Sequence, residues 1–138
     1  MAVVDASVWV ARLLRTDSFY EKSRDWLGKF FLKGGFLISP GLLLAEVSGA
    51  LARRTGNPNL GQEALSLLMY LPGLQLVPID PPLAESAAML AADLRLRGAD
   101  AFYVTVAYQL HIPLVTWDRE QLERAGEIIS TYTPEDMF

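Results

Sequence analysis

Short apolar runs recur along this chain with helix-length stretches between them. Val3-Val4 comes first, then Phe36-Leu37-Ile38, Leu74 to Ile79 around Leu76-Val77, and Pro113-Leu114-Val115-Thr116. Runs of this kind, too short for helices and barely alternating, read as strands buried on both faces. Helical spacing fills the gaps, so each strand is followed by a crossover that must return over the sheet. The pattern predicts an α/β fold: one domain over residues 1–138, a central parallel β-sheet and helices on both faces. No internal repeat, low-complexity segment or linker interrupts it.

Local signals set the expected boundaries. Ser7 is placed as the N-cap of a helix to Arg15. Thr16 or Asp17 caps a second helix through Lys33, which Gly34-Gly35 ends. Pro40 is placed near the start of a third helix, which runs to Arg53-Arg54 and stops at Gly56-Asn57-Pro58. Asn59 caps a fourth, ending near Leu71-Pro72-Gly73. Asp80-Pro81-Pro82 starts a fifth that reaches Arg95-Leu96-Arg97 and is closed by Gly98. Asp100 opens a sixth over Ala101 to Leu110, and Asp118 caps a short one to Ala125. Ile128-Ile129 is the expected last edge strand, and Thr133 to Phe138 a tail.

Composition excludes several classes. The chain is 51% hydrophobic and 20% charged, which is globular rather than disordered. It has no cysteine, so a disulfide framework and a thiolate metal site are both impossible. With no bilayer-length apolar run and no basic segment ahead of the first strand, a cytoplasmic protein without a membrane role is the simpler expectation. The net charge of −4 argues against a broad basic footprint for nucleic acid. It is compatible with acids gathered in one cleft beside an arginine-bearing rim, and nine of the twelve cations are Arg.

Ligands of open parallel sheets collect outside the carboxyl ends of the strands. Asp5 follows the first strand and Asp118 the fourth, at that same edge. Glu46 and Asp100 lie in the first turns of two helices that can begin there, and Glu46 stands among Leu42, Leu43, Leu44, Val47 and Leu51. Converging carboxylates repel one another and persist only if something neutralises them. A hard divalent cation, Mg²⁺ or Mn²⁺, suits such an oxygen-rich set.

Four segments then resemble the PIN-domain family, and within it the VapC-type ribonuclease toxins. They are Val3-Val4-Asp5-Ala6-Ser7-Val8, Pro40 through Glu46-Val47 to Ala50-Leu51, Arg97-Gly98-Ala99-Asp100-Ala101-Phe102-Tyr103, and Leu114-Val115-Thr116-Trp117-Asp118. The resemblance implies that Asp5, Glu46, Asp100 and Asp118 are the catalytic acids, with Asp5, Asp100 and Asp118 as metal ligands. It implies that the hydroxyls of Ser7 and Thr116 stand beside the metal. It further implies endonucleolytic hydrolysis of RNA by metal-activated water, a homodimer, and an antitoxin protein that blocks the cleft. Arg97, three residues before Asp100, is the first candidate for a phosphate contact. The extra acid after the fourth strand is Glu120, either a member of the site or a solvent-facing residue of the last helix.

Other readings fit less well. An Asp-x-Ser-x-Ser metal-dependent adhesion motif fails at Trp9, where a hydroxyl is required. An aspartyl phosphotransferase would place a second Asp where Ser7 stands. With His111 the one histidine, at a helix end where a cation suits the dipole, no serine has an obvious base. Trp9, Trp26, Phe19, Phe30 and Phe31 read as core or partner surface. A PIN-like protein that binds metal but serves as a silent scaffold remains the alternative.

Overall fold

The parallel sheet is built from five short strands, the inner three of them buried along their whole length. In the computed structural model, which describes residues 1–137, these are β1 (Ala2–Val4), β2 (Leu37–Pro40), β3 (Leu74–Val77), β4 (Leu114–Val115) and β5 (Thr131–Tyr132). Every pairing is parallel and the order is β3-β2-β1-β4-β5. Ala2, Val3 and Val4 in β1 and Leu114 and Val115 in β4 are fully buried. Their unbroken apolar run is what a two-sided interior strand requires.

Two helices follow each of the first three strands. They are α1 (Ala6–Leu13) and α2 (Tyr20–Leu32), α3 (Leu43–Thr55) and α4 (Pro58–Met69), and α5 (Pro81–Leu94) and α6 (Gly98–Leu110). A single helix, α7 (Arg119–Ala125), joins β4 to β5. Right-handed crossovers put α1 to α4 on one face and α5 to α7 on the other. The packing agrees: α1 lies against α2 and α3, whereas α6 lies against α5, α7 and the three central strands. Val8, Leu43, Val47 and Leu51 fill one layer, and Ala101, Val104 and Ala107 the other.

Several boundaries differ from expectation, each for a local reason. Asp5, not Ser7, is the N-cap of α1: it is extended (φ −83°, ψ 175°), and its carboxylate accepts the Ser7 N–H. Ser7 is thereby moved into the first turn. The second helix starts at Tyr20 without a side-chain cap, because the Asp17 carboxylate is spent on the Phe19 N–H in the turn before it. Pro40 ends β2 instead of starting a helix; it pairs with Val77, and the Gly41 N–H makes the bond to the Val77 carbonyl. Asn57, not Asn59, caps α4, with Pro58 in the first helical position.

The fifth helix stops at Leu94, where Arg95 turns left-handed (φ 56°). Gly98 consequently opens α6 rather than closing α5. Asp100 becomes the third residue of that helix instead of its cap. The last strand is Thr131–Tyr132 rather than Ile128-Ile129, whose N–H groups both bond the Ala125 carbonyl and close the end of α7. Phe138, the end of the expected tail, lies outside the described residues. Among the described residues, no helix is long and apolar enough to cross a membrane.

Candidate active site

The carboxyl ends of β1 and β4 lie side by side, so Asp5 and Thr116 emerge together. Asp5 is 4% exposed and all its acceptor capacity is used. One oxygen accepts the Ser7 hydroxyl at 2.6 Å and the Ser7 N–H at 3.1 Å. The other accepts the Thr116 hydroxyl and the Gln121 side-chain amide, each at 2.8 Å. A carboxylate offers about four lone-pair sites, so none is left over. The two hydroxyls also accept: Ser7 takes the Trp117 N–H at 3.0 Å and Thr116 the Asp118 N–H at 3.0 Å. This lattice ties the ends of both strands to one buried charge.

Burial pushes the Asp5 carboxyl up to about 6, against the pull of the Ser7, Thr116 and Gln121 hydrogen bonds, and the charge of Asp118 adds to the rise. Asp100, in the first turn of α6, is half-buried and accepts the same Gln121 amide at 3.1 Å. It too is pushed up to about 6, first by burial and then by the charges of Asp118, Asp5 and Glu46, with Arg97 opposing. Asp118 caps α7 by accepting the Gln121 N–H at 3.1 Å. Glu46 projects from the first turn of α3 and accepts the Tyr103 hydroxyl at 2.5 Å. Burial, and then the bond to Glu46, hold the Tyr103 phenol far above its ordinary pKa, so it is always the donor.

All four expected acids therefore stand at one edge, and Asp100 feels the charge of the other three. Their closeness has a limit. Among the described residues no three Asp, Glu or His side chains gather at ion-holding distance. Asp5 and Asp100 are joined through an amide instead. The donor set is nevertheless hard oxygen throughout, which fits Mg²⁺ or Mn²⁺ and not a soft metal. Two members of the constellation, Gln121 and Tyr103, carry no charge and were not among the expected site residues. Asp118-x-x-Gln121 has the spacing of a helix-capping box, a signal that fixes the position of Gln121 but not where its amide goes.

The expected flanking residues fall into two groups. Arg97 precedes α6 with its side chain 77% exposed, 3.7 Å from Glu120. Glu120 itself pairs with Arg124 at 2.6 Å, an ion-paired residue of the rim. On the opposite side a cleft of ≈ 600 Å³ runs from Ser7 and Glu46 to Asp17, Arg53 and Arg54, past Trp117. Arg54 is held by Asp17 at 2.8 Å. Phe19, expected in the core or at a partner surface, is 39% exposed and stacks on Trp117 at 4.0 Å in the wall of this cleft. Trp9, Trp26 and Phe30 are in the core as expected. His111 forms the left-handed end of α6.

Open parallel α/β sheets bind their ligands at this carboxyl edge, and that places the chain in a broad class. The family match narrows it: the PIN domain matches residues 2–128, and the chain belongs to that family. No curated protein sequence matches the chain significantly. Solved structures share the fold at low identity. The VapC20 toxin of Mycobacterium tuberculosis, a sarcin–ricin loop cleaving toxin, is 17% identical with a TM-score of 0.74, over 92% of this chain and 95% of that one. FitAcB of Neisseria gonorrhoeae is 20% identical with a TM-score of 0.71, over 98% and 99%. VapBC2 of Rickettsia felis, bound to a DNA fragment from its own promoter, is 14% identical with a TM-score of 0.64, over 96% and 97%.

Proposed function

We propose that this protein is a divalent-metal-dependent endoribonuclease, the toxin of a toxin–antitoxin pair. The observation that carries the reading is the meeting of Asp5, Glu46, Asp100 and Asp118, from four separate elements, at the carboxyl edge of a PIN-domain sheet. Two of them are raised to about 6 by burial and mutual repulsion. Carboxylates left under such strain in a cleft are candidates for function.

Asp5, Asp100 and Asp118 would hold Mg²⁺ or Mn²⁺, with Glu46 facing the same space. A divalent cation there supplies positive charge that acidifies water and offsets charge developing on a phosphodiester. Ser7 and Thr116 fix the Asp5 carboxylate in one orientation and are not nucleophiles, since both hydroxyl protons are committed to it. Arg53 and Arg54 give the cleft a cationic end at which an RNA backbone can lie, and exposed Arg97 offers a further phosphate contact from the opposite rim. An antitoxin protein as partner follows from the toxin assignment, as does a homodimer. The exposed Leu60, Leu67 and Met69 on α4 supply apolar surface on the helices expected to pair.

The alternative, a PIN-like scaffold that does not cut, draws support from Asp5, whose acceptor sites are all filled by protein donors. Purified protein and a pool of structured RNAs separate the two. With Mn²⁺ or Mg²⁺ the wild type cleaves; with EDTA it does not, and Asp5→Asn and Asp100→Asn each lose on the order of 100-fold or more. Equal cleavage by these variants and the wild type would refute the nuclease. A wild type that binds Mn²⁺ calorimetrically yet cuts no RNA or DNA would establish the scaffold.

A further inference from the structure

We propose that the Gln121 carboxamide closes the Asp5–Asp100 seat while no cation is present, and that a divalent cation enters only as this amide withdraws. The inference deepens the metal-dependent reading above and rests on it. Gln121 is 1% exposed, yet it belongs to a seven-residue surface helix. Its N–H₂ group spans the two acids, 2.8 Å from Asp5 and 3.1 Å from Asp100. Its Oε1 is buried with no hydrogen-bond partner among the described residues.

Its surroundings make this side chain the removable donor. Asp5 has no vacant acceptor site, so a cation that reaches it must displace one of four donors. The Ser7 N–H belongs to the first turn of α1. The two hydroxyls each accept a backbone N–H besides donating to Asp5. Gln121 alone touches both carboxylates, so it occupies the gap that a shared cation would need. Its two amide hydrogens carry part of the positive charge that a cation would bring, as donors to ionised groups. The unpaired Oε1 adds a desolvation cost to the closed arrangement, which release toward water relieves. Gln121 is thus a positioning residue that acts through the two acids.

The proposal sets removal of the amide against the ordinary result of mutating a site. Gln121→Met keeps length and bulk but takes away the competing donor. Its calorimetric Mn²⁺ affinity should be about 10-fold tighter than that of the wild type, while its cation-free melting temperature falls. Gln121→Glu should show a larger Mn²⁺-dependent rise in melting temperature than the wild type. The wild type gives a reading that needs no variant. In a Mg²⁺ titration followed by NMR, the Gln121 side-chain N–H₂ pair should shift while those of exposed Asn57 and Asn59 stay still.

Equal or weaker Mn²⁺ binding by Gln121→Met, or a Gln121 amide unmoved as the Asp100 backbone signal shifts, overturns the gate and leaves the metal site standing. Absence of Mn²⁺ binding by the wild type and by both variants overturns the metal site and the gate together. Binding by Gln121→Met with none by the wild type would be the strongest support.

Discussion

On the β4 side of the cleft, Asp5 receives four donors from three elements and has no freedom to turn. On the α3 side, Glu46 receives one, the Tyr103 hydroxyl, and stands in an open groove beside Arg53 and Arg54. The two acids share a proposed role and a sheet edge, but differ in how much of their surroundings is committed to them. Asp5 is costly to bury and is made tolerable by a dense set of neutral donors, which also sew β1, β4, α1 and α7 together. Glu46 is held by a single side-chain donor from α6, so its position depends on one oxygen atom. The first region works as a frame. The second can be altered without disturbing the fold.

The sharpest way to break this contrast is Tyr103→Phe. The ring stays to fill its buried place in α6, and Glu46 loses its one side-chain donor. Under the nuclease reading, RNA cleavage should fall about 10- to 100-fold, as expected for loss of a hydrogen bond to a charged group. Stability in urea should change by no more than about 1 kcal/mol, because the lost bond is only partly buried. A stability loss of several kcal/mol with unchanged turnover would make Tyr103 part of the frame and erase the distinction.

A weaker effect is expected from Arg53→Ala combined with Arg54→Ala. Both residues lie at the end of α3, far along the cleft from Asp5, and Arg54 is already paired with Asp17. Their proposed task is sequence-independent attraction of phosphate. RNA affinity, read by fluorescence anisotropy with EDTA present, should fall about 10-fold at low salt, with a shallower salt dependence. An unchanged salt slope would assign these arginines to the surface and move the RNA path to the Arg97 rim.

How far the sequence discloses each region follows the same division. Asp5 and Asp118 are readable because strand ends of a parallel sheet have fixed addresses, and Glu46 and Asp100 because charges in the first turn of an apolar helix stand out. The frame around them is hidden. Gln121 is neutral and lies among Arg119, Glu120, Glu123 and Arg124 in a helix whose buried face is set only when α7 docks on α6. Tyr103 looks like one more apolar residue of α6, three positions after Asp100. Boundary errors had a physical source as well. Polar residues with more than one acceptor, such as Asp5 and Asp17, serve the turn nearest to them, and the helix start shifts by one to three residues.

The smallest effect concerns the cost of the frame itself. Asp5 and Asp100 have ordinary carboxyl values of 3.8 and stand at about 6 in the folded protein. Between those values the native state binds more protons than the unfolded state, so these two groups make stability fall as pH rises through roughly 4 to 6. Above that window the penalty is fully present; below it the penalty is gone. Lowering the pH from 7 to 5 should therefore raise the wild-type melting temperature relative to that of Asp100→Asn. Asn keeps the oxygen that accepts from Gln121 but carries no charge to be protonated. Asp100 is only half-buried, so the difference should be modest, about 2–4 °C for a domain of this size. Saturating Mn²⁺ at pH 7 should abolish it by neutralising the same repulsion. A wild type and variant with parallel melting-temperature profiles over pH 5 to 7 would mean that the crowded acids are already balanced without a cation. Asp100 would then be held at the edge by its hydrogen bond to Gln121 without a charge penalty for a cation to relieve.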